Sequence, residues 1–564
     1  MFQEVWALRR LSSPWLMLAA AACTTSAIGA HAAQFRVTPL ADINPDGNAG
    51  IGLYGTLTDR VVLKAFDGVF DQLFSTDGTS VVRLDVGGIN NPRPEILHVR
   101  GLNGRGLRNS PPFRGELYFV ANGSDGRTLY KTDGLTTMPV LSGVSGVREE
   151  DIYLPPVASI SANFLYFERT VGDDAGLYRT DGVAVSRVET SLPDSTGTRF
   201  FANLGSDAIL FSSGANGGVF FRENATSQSA IVFDERIDFP SPPTLFQDCL
   251  YFAEPFPPRH GLLRTDGSTI VEVPSAEEIH GVHSLFVAND MLYFKARGAS
   301  GYEQVYRTAG EQVELFDLGG RDQHATRFIG GVGNDLYLFQ DSERRIVRTD
   351  GESIFEVSVD IRPDVGNASL LGVLGDTLLL DLQVADTGVP FSVTRGLFLL
   401  KDDAAKFVDI GRAGGYAPSN ATVFGDDVFF TAYGANGEEL YRLNGDELTE
   451  YDINPNGDSR PANFRIIDDL LFFSALGPTG RELYVTDGGP LQIVDLDPTA
   501  DASSYVIGTI GDAVLVGTAG GAGTDLFALR RVVPEPAAWL LLLAGVPCML
   551  ARRRRSRLER GQKF

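Results

Sequence analysis

The stretch Gly176-Leu-Tyr-Arg-Thr-Asp-Gly182 returns along almost the whole chain, and its recurrence constrains the fold more than any other feature. Leu177 to Thr180 alternate large apolar and polar side chains, Asp181-Gly182 supplies two positions suited to positive φ, and Val183 to Val188 alternate again. That pattern predicts two antiparallel strands joined by a tight turn, with both Asp181 and Gly182 at positive φ. Copies end at Asp77-Gly78, Asp133-Gly134, Asp266-Gly267, Asp350-Gly351 and Asp487-Gly488, with looser versions at Ala309-Gly310 and Asn444-Gly445. Degenerate copies run from Phe220 to Ala225, Leu399 to Ala404 and Leu526 to Arg530. Together they give eleven units at a mean spacing of about 45 residues, a period typical of repeat architectures.

Within each unit the order of elements is constant. A strand ends in an Asp-rich linker, as in Leu40 to Gly47 and Tyr451 to Gly457. An apolar strand and a Gly-Asp or Asn-Asp turn follow, then a strand such as Leu117 to Ala121, Met291 to Lys295 or Val428 to Ala432. A Gly-rich loop leads back to the repeated hairpin. Four short strands cannot bury their faces alone, so units must stack on their neighbours. The expected fold is all-β: a β-propeller of about eleven four-stranded antiparallel blades, forming one wide ring or two propellers. An open solenoid is the runner-up. A solitary strand at Phe35 to Leu40 and an incomplete hairpin at Leu526 to Arg530 are each the half that the other lacks, which predicts that they pair and close a ring. Two units are longer than the rest: the second carries Arg100, Arg105, Arg108 and Arg114, and the eighth carries Val384 to Arg395 between strands. The four arginines are candidate anion contacts on a loop, where binding residues concentrate.

The ends differ from the repeats, which are taken as residues 34–531. Residues 1–33 read as a signal peptide, with Arg9 and Arg10, an apolar run from Trp15 to Ala22, and Ala30-His31-Ala32 as a cleavage site. Cys23 after Ala20-Ala21-Ala22 is a weaker lipoprotein signal. Residues 532–564 hold Val532-Val-Pro-Glu-Pro536, an apolar run from Ala537 to Ala551, and Arg552 to Arg555. Fifteen apolar residues fall short of the roughly 20 that span a bilayer, so the run reads as a short, marginal transmembrane helix with the arginines on the cytoplasmic side. Formal charge is −24, with a net +1 in the leader and +5 in the tail, so the repeats stand near −30. Such a surface repels nucleic acid, which argues against that partner. Of 3 cysteines, Cys249 is alone in the repeats, so no disulfide is available there and core burial must stabilise an exported fold.

The tail resembles the PEP-CTERM sorting signal of exopolysaccharide-producing Gram-negative bacteria, with Pro534, Glu535 and Pro536 matching the motif and Arg552, Arg553, Arg554 and Arg555 the basic cluster. That resemblance implies an exosortase-type membrane protease as partner, transient inner-membrane anchoring, and a destination at the cell surface or in an extracellular polysaccharide matrix. The repeats resemble the ELWxxDGT, or hyalin-like, repeat, best at Glu439 to Gly445 and Glu482 to Gly488, with Tyr in place of Trp. Neither resemblance brings an enzyme activity.

Local chemistry is sparse. Asp42 to Gly47 and Asp452 to Asp458 mimic the first half of an EF-hand loop, yet the twelfth positions are Leu53 and Asn463 where a bidentate Glu is needed. The Asp-Gly pairs serve as turn formers, and structural calcium is a secondary expectation. His280 and His283 lack a third ligand and fall on a linker entering a strand, which leaves no expected metal or cofactor site. The turn at Ser75 to Thr79 does not match a sialidase Asp-box, and no nucleophile motif occurs. The expected function is non-enzymatic, with no catalytic residue: an exported structural or adhesive scaffold. A propeller enzyme acting on extracellular polysaccharide is the alternative, as is a carbohydrate- or protein-binding module.

Overall fold

The structure is a computed structural model and describes residues 34–532, apart from 97, 100–111, 125, 145–156, 170–174, 190–196, 214–216, 232–236, 238–239, 255–260, 319–325, 361–363, 386–392, 413–414, 497–502 and 520–523. The first unit shows the rule for the others. Gly52–Thr56, Val61–Phe66, Asp71–Thr76 and Val81–Leu84 pair in sequence order as one antiparallel sheet. Eleven sheets follow one another along the chain, ten of them built this way and the last taking its fourth strand from the start of the repeats, and in two of them a short parallel strand is added: His98–Val99 beside Val157–Ile160, and Ser358–Val359 beside Ala404–Phe407. First strands of successive blades touch, as between Asp364–Leu374 and Ser419–Phe424, which places them innermost.

The second strand of a blade is apolar along its length because both of its faces are covered. In Asp335–Gln340, Leu336 and Leu338 join a core with Tyr293 and Val305 of the preceding blade. Tyr337 and Phe339 of the same strand enter the next core, with Leu378, Leu380 and Phe398. Successive side chains point to opposite faces, so each blade contributes to two cores. Eleven such clusters occur among the described residues, and each joins two consecutive blades. The cycle closes where Ile507, Ala513 and Leu515 of the last blade pack with Val61, Leu63 and Ala65 of the first. A single ring of eleven blades results. An open solenoid would lack that final core, and two propellers would interrupt the sequence of cores in the middle.

The expected closing pair is present. Phe35–Ala41 runs antiparallel to Leu526–Arg531, from Phe35 opposite Arg531 to Ala41 opposite Leu526, and forms the outermost strand of the last blade. Phe35 lies 5.8 Å from Phe472 of the tenth blade, ring centre to ring centre. Val532 N donates to Gln34 O at 2.7 Å, so both ends of the ring leave the same face, the one that carries the hairpin turns.

Those turns differ from the expected form. The glycines take positive φ, +79° at Gly78 and +97° at Gly182, whereas Asp77 and Asp181 do not. The loops are four residues long, since Thr76 pairs with Val81 and Thr180 with Val185. The Asp side chain takes the place of a second positive-φ residue: Asp77 Oδ1 accepts from Thr79 N and Ser80 N, both at 2.8 Å, and Thr76 Oγ1 accepts from Gly78 N at 3.0 Å. The Thr79 hydroxyl, followed by these amides, holds the Asp77 carboxyl well below the usual carboxylate range. Two-residue turns do occur in the eighth and ninth blades, at Asp402-Asp403 and Gly445-Asp446.

The glycines of the four-residue turns also dock on the blade before. A Cβ on Gly78 would meet Ile510 Cγ2 at 2.8 Å, and one on Gly267 would meet Leu204 Cδ2 at 2.9 Å. The basic residue two before Asp in the repeat then donates across the joint: Lys131 Nζ to Gly182 O at 3.0 Å, and Arg264 and Arg307 to the carbonyls of Gly310 and Gly351. Arg530 Nη2 makes the same bond to Gly78 O at 2.8 Å, which carries the pattern from the last blade to the first.

Candidate functional site

The polar residues singled out in the repeats are engaged in architecture. In the linker Asp42 to Gly47, Asp42 and Asp46 face solvent while Asn44 is buried. The buried Asp525 of the last blade caps this loop, its Oδ2 accepting from Ile43 N at 2.7 Å and Asn44 N at 2.8 Å. Glu439 does the same for the linker after its own blade, its carboxylate accepting from Ile453 N at 3.1 Å and Ser459 N at 3.0 Å. Burial pushes the Glu439 carboxyl up. The repeated Glu position of the hairpin motif is thus a cap for the next linker, and the calcium-like spacing belongs to a capped loop. Among the described residues no group of three or more His, Cys, Asp or Glu is placed to hold a metal ion.

His280 and His283 lie within the innermost strand His280–Ala288 of the sixth blade, not on a linker leading into it. A bulge interrupts their pairing there, and His283 Nε2 sits 3.4 Å from Glu303 Oε1, which pairs with Lys295 Nζ at 2.9 Å. Arg114 occupies a positive-φ turn (φ 55°), its guanidinium 5.6 Å from the Phe113 ring centre, against the Gly182 turn of the third blade. Arg100, Arg105 and Arg108 lie outside the described residues, as do the signal peptide, Pro534, Glu535, Pro536 and Arg552 to Arg555. Among the described residues no helix is long and apolar enough to cross a membrane; the C-terminal apolar run lies outside them.

The extended eighth unit builds something the repeat does not. Val384, Ala385 and Val393 to Arg395, expected in a loop, belong to the strands Thr377–Ala385 and Val393–Lys401, whose pairing continues to Ala385 opposite Val393. The apolar alternation of Leu378 to Val384 carries the ladder past the usual blade height. The following linker crosses this raised hairpin, with Tyr416 N bonded to Arg395 O. That crossing requires Gly415, where a Cβ would run into the backbone of Arg395, and Gly396, where it would meet Tyr416 Cε1 at 3.2 Å. Tyr416 fills the space beneath, its hydroxyl donating to Val408 O at 2.8 Å.

Between this linker and the ninth blade lies an open cleft of about 470 Å³, lined by Arg395, Arg412, Tyr416, Tyr433 and Glu438. Its volume falls within the range of small-ligand sites, about 300–1,000 Å³. Asp381 grips Arg395 through two bonds, Nε to Oδ1 at 3.0 Å and Nη2 to Oδ2 at 2.6 Å, and so neutralises it. Arg412 has no carboxylate within 4 Å among the described residues. Its Nη1 donates to Tyr433 O at 2.6 Å and its guanidinium lies 4.9 Å from the centre of the Tyr433 ring, which is 48% exposed. At the far edge Glu438 Oε2 stands 4.0 Å from Arg460. The sequence reading missed Arg412, Tyr433 and Glu438. The signal for them was the linker Gly411-Arg-Ala-Gly-Gly-Tyr416, which replaces the capped Asp-x-Asn loop found elsewhere.

No family model and no curated protein matches the chain. Among solved structures, the extracellular domain of a putative hybrid two-component system from B. thetaiotaomicron is 10% identical, with TM-score 0.23, over 85% of this chain and 70% of that one. The β-propeller domain of the Trilobed protease from Pyrococcus furiosus is 14% identical, with TM-score 0.26, over 52% of this chain and 97% of that one. A prolyl endopeptidase structure is 15% identical, with TM-score 0.27, over 60% of this chain and 54% of that one. Likenesses this distant carry no functional argument. The class of the protein follows from its own eleven consecutive cores: a β-propeller scaffold closed by its first strand.

Proposed function

We propose that this is an exported, non-enzymatic surface or matrix protein in which a rigid acidic ring presents one face outward, with a C-terminal sorting signal processed by an exosortase-type protease. The observation that carries this reading is the exit of both ends of the ring at one point of the turn face, where Val532 N meets Gln34 O at 2.7 Å. A tail held by a membrane or a processing enzyme therefore leaves the opposite face, with the linkers and the cleft, free. The repeated Asp, Thr, Glu and Arg groups support a scaffold role, since each holds a turn, a linker or a joint between blades. A second reading, a ligand-binding module, is favoured by the cleft, where two arginines, two tyrosines and a carboxylate converge.

Mass spectrometry of the protein recovered from the native host's surface or medium tests the sorting claim. The expected result is a chain beginning near Ala33 or Gln34 and ending near Pro534 to Pro536. Peptides containing Trp539 to Ala551 still joined to the repeats would overturn it.

A further inference from the structure

We infer that the cleft between the eighth and ninth blades binds a sugar ring carrying a carboxylate, with Arg412 pairing the carboxylate and Tyr433 stacking on the sugar. The inference rests on the surface-display reading for its biological setting, though the chemistry of the cleft stands on its own. Three features converge on this ligand class. The first is the guanidinium of Arg412, which uses Nη1 on Tyr433 O and has no carboxylate partner among the described residues. Its remaining N–H fork matches a carboxylate in plane and spacing. The neighbouring Arg395 shows the contrast, since Asp381 already occupies both prongs of its fork.

The second feature is an aromatic platform held in place before any ligand arrives. Tyr433 closes the second strand of the ninth blade, Asp427–Tyr433, and Arg412 covers part of its ring. Asp458 lies at its hydroxyl, and is itself fixed by accepting from Glu438 N at 3.1 Å and pairing with Arg460 at 3.2 Å. With half its surface still open, the ring offers a flat apolar face at little entropic cost, which suits the C–H face of a pyranose. The third is Glu438, across the cleft, an acceptor for sugar hydroxyls that neither Arg395 nor Arg412 can provide. Arg, Tyr and Glu together distinguish one acidic sugar from a bare anion, for which the platform would have no use, and from a neutral sugar, for which the free fork would have none.

The cleft lies where the chain departs from the regular repeat. The cleft depends on the raised hairpin of the eighth blade and on the close crossing that Gly396 and Gly415 permit. It sits on the side away from the turn face, among the linkers. The charge of about −30 on the repeats opposes a polyanion at long range, but that repulsion is screened beyond about 8 Å at physiological salt, while Arg412 acts in contact.

Isothermal titration of the full exported chain with trigalacturonate, and separately with the neutral trisaccharide cellotriose, tests the inference. Trigalacturonate is expected to bind in the millimolar range or tighter, and cellotriose at least about tenfold more weakly, because the charge-assisted pair is lost. Arg412→Ala and Tyr433→Ala should each weaken trigalacturonate binding about tenfold or more, with Arg412→Lys intermediate. Unchanged thermal melts would confirm that these variants fold. No binding of trigalacturonate at 10 times the millimolar level, equal binding of cellotriose, or affinity untouched by both substitutions would overturn it. Fractionation of the same host separates the two claims: a surface protein that fails to bind sinks the cleft inference alone, whereas a binding protein retained inside the cell sinks the display reading alone.

Discussion

Deletion of residues 34–41 is expected to lower stability by roughly 5 kcal/mol and to convert a monodisperse ring into a species that self-associates. The strand Phe35–Ala41 supplies six residue pairs to Leu526–Arg531. Phe35 and Val37 pack against the core between the tenth and eleventh blades, and Leu40 and Ala41 against the core that joins the eleventh to the first. Fully burying a large apolar side chain is worth about 1.5–3 kcal/mol, and these are partly buried, so the four together account for most of the estimate. Loss of the strand also uncovers the backbone edge of Leu526–Arg531, a template for pairing with another chain. Denaturant midpoints and size-exclusion profiles of the deleted and intact proteins would show the effect. An unchanged midpoint with a monodisperse profile would contradict it.

The substitution Asp525→Ala is expected to cost about 3 kcal/mol, out of proportion to the size of the side chain. Asp525 is 1% exposed and its Oδ2 accepts from two backbone amides, Ile43 N and Asn44 N. Removing it strands two buried donors, each at a cost of about 1–3 kcal/mol. Asp525→Asn keeps an accepting oxygen and should recover about half of the loss. The comparison is Asp42→Ala: Asp42 faces solvent, so its removal should change stability by less than about 0.5 kcal/mol, with or without calcium. A loss at Asp42 that appears with added calcium would mean that the loop holds the ion after all. The ordering Asp525→Ala, Asp525→Asn, Asp42→Ala is the check, read from denaturant midpoints.

Period and local pattern made much of this fold legible. The alternation in Leu177 to Thr180 marks a strand, the Asp-Gly pairs mark its turn, and the unmatched halves at Phe35 to Leu40 and Leu526 to Arg530 mark where the ring closes. Periodicity could not choose between one ring and two, because the number of units says nothing about the small rotation between neighbours. That rotation is set by what fills each joint, such as Ile510 against Gly78 or Leu204 against Gly267, which lie far apart in sequence. The turn geometry was misread for a related reason: an Asp side chain that caps two amides does the work of a second positive-φ residue, and the letters Asp-Gly fit both.

The cleft was less legible because it lies in departures from the repeat. Its arginine comes from a linker and its tyrosine from a strand end, and they meet only in the folded chain, through the bond from Arg412 Nη1 to Tyr433 O. The eighth unit had been marked by its length, but Val384 to Arg395 lengthens two strands where a loop was expected. Arg114, singled out with the basic loop of the second unit, packs against the Gly182 turn of the next blade.

Single-particle electron microscopy of the purified protein tests the central claim most directly. End-on class averages should show one ring of eleven spokes around an open centre. Two smaller rings joined side by side, or an arc with a gap between the first and last spokes, would contradict the account.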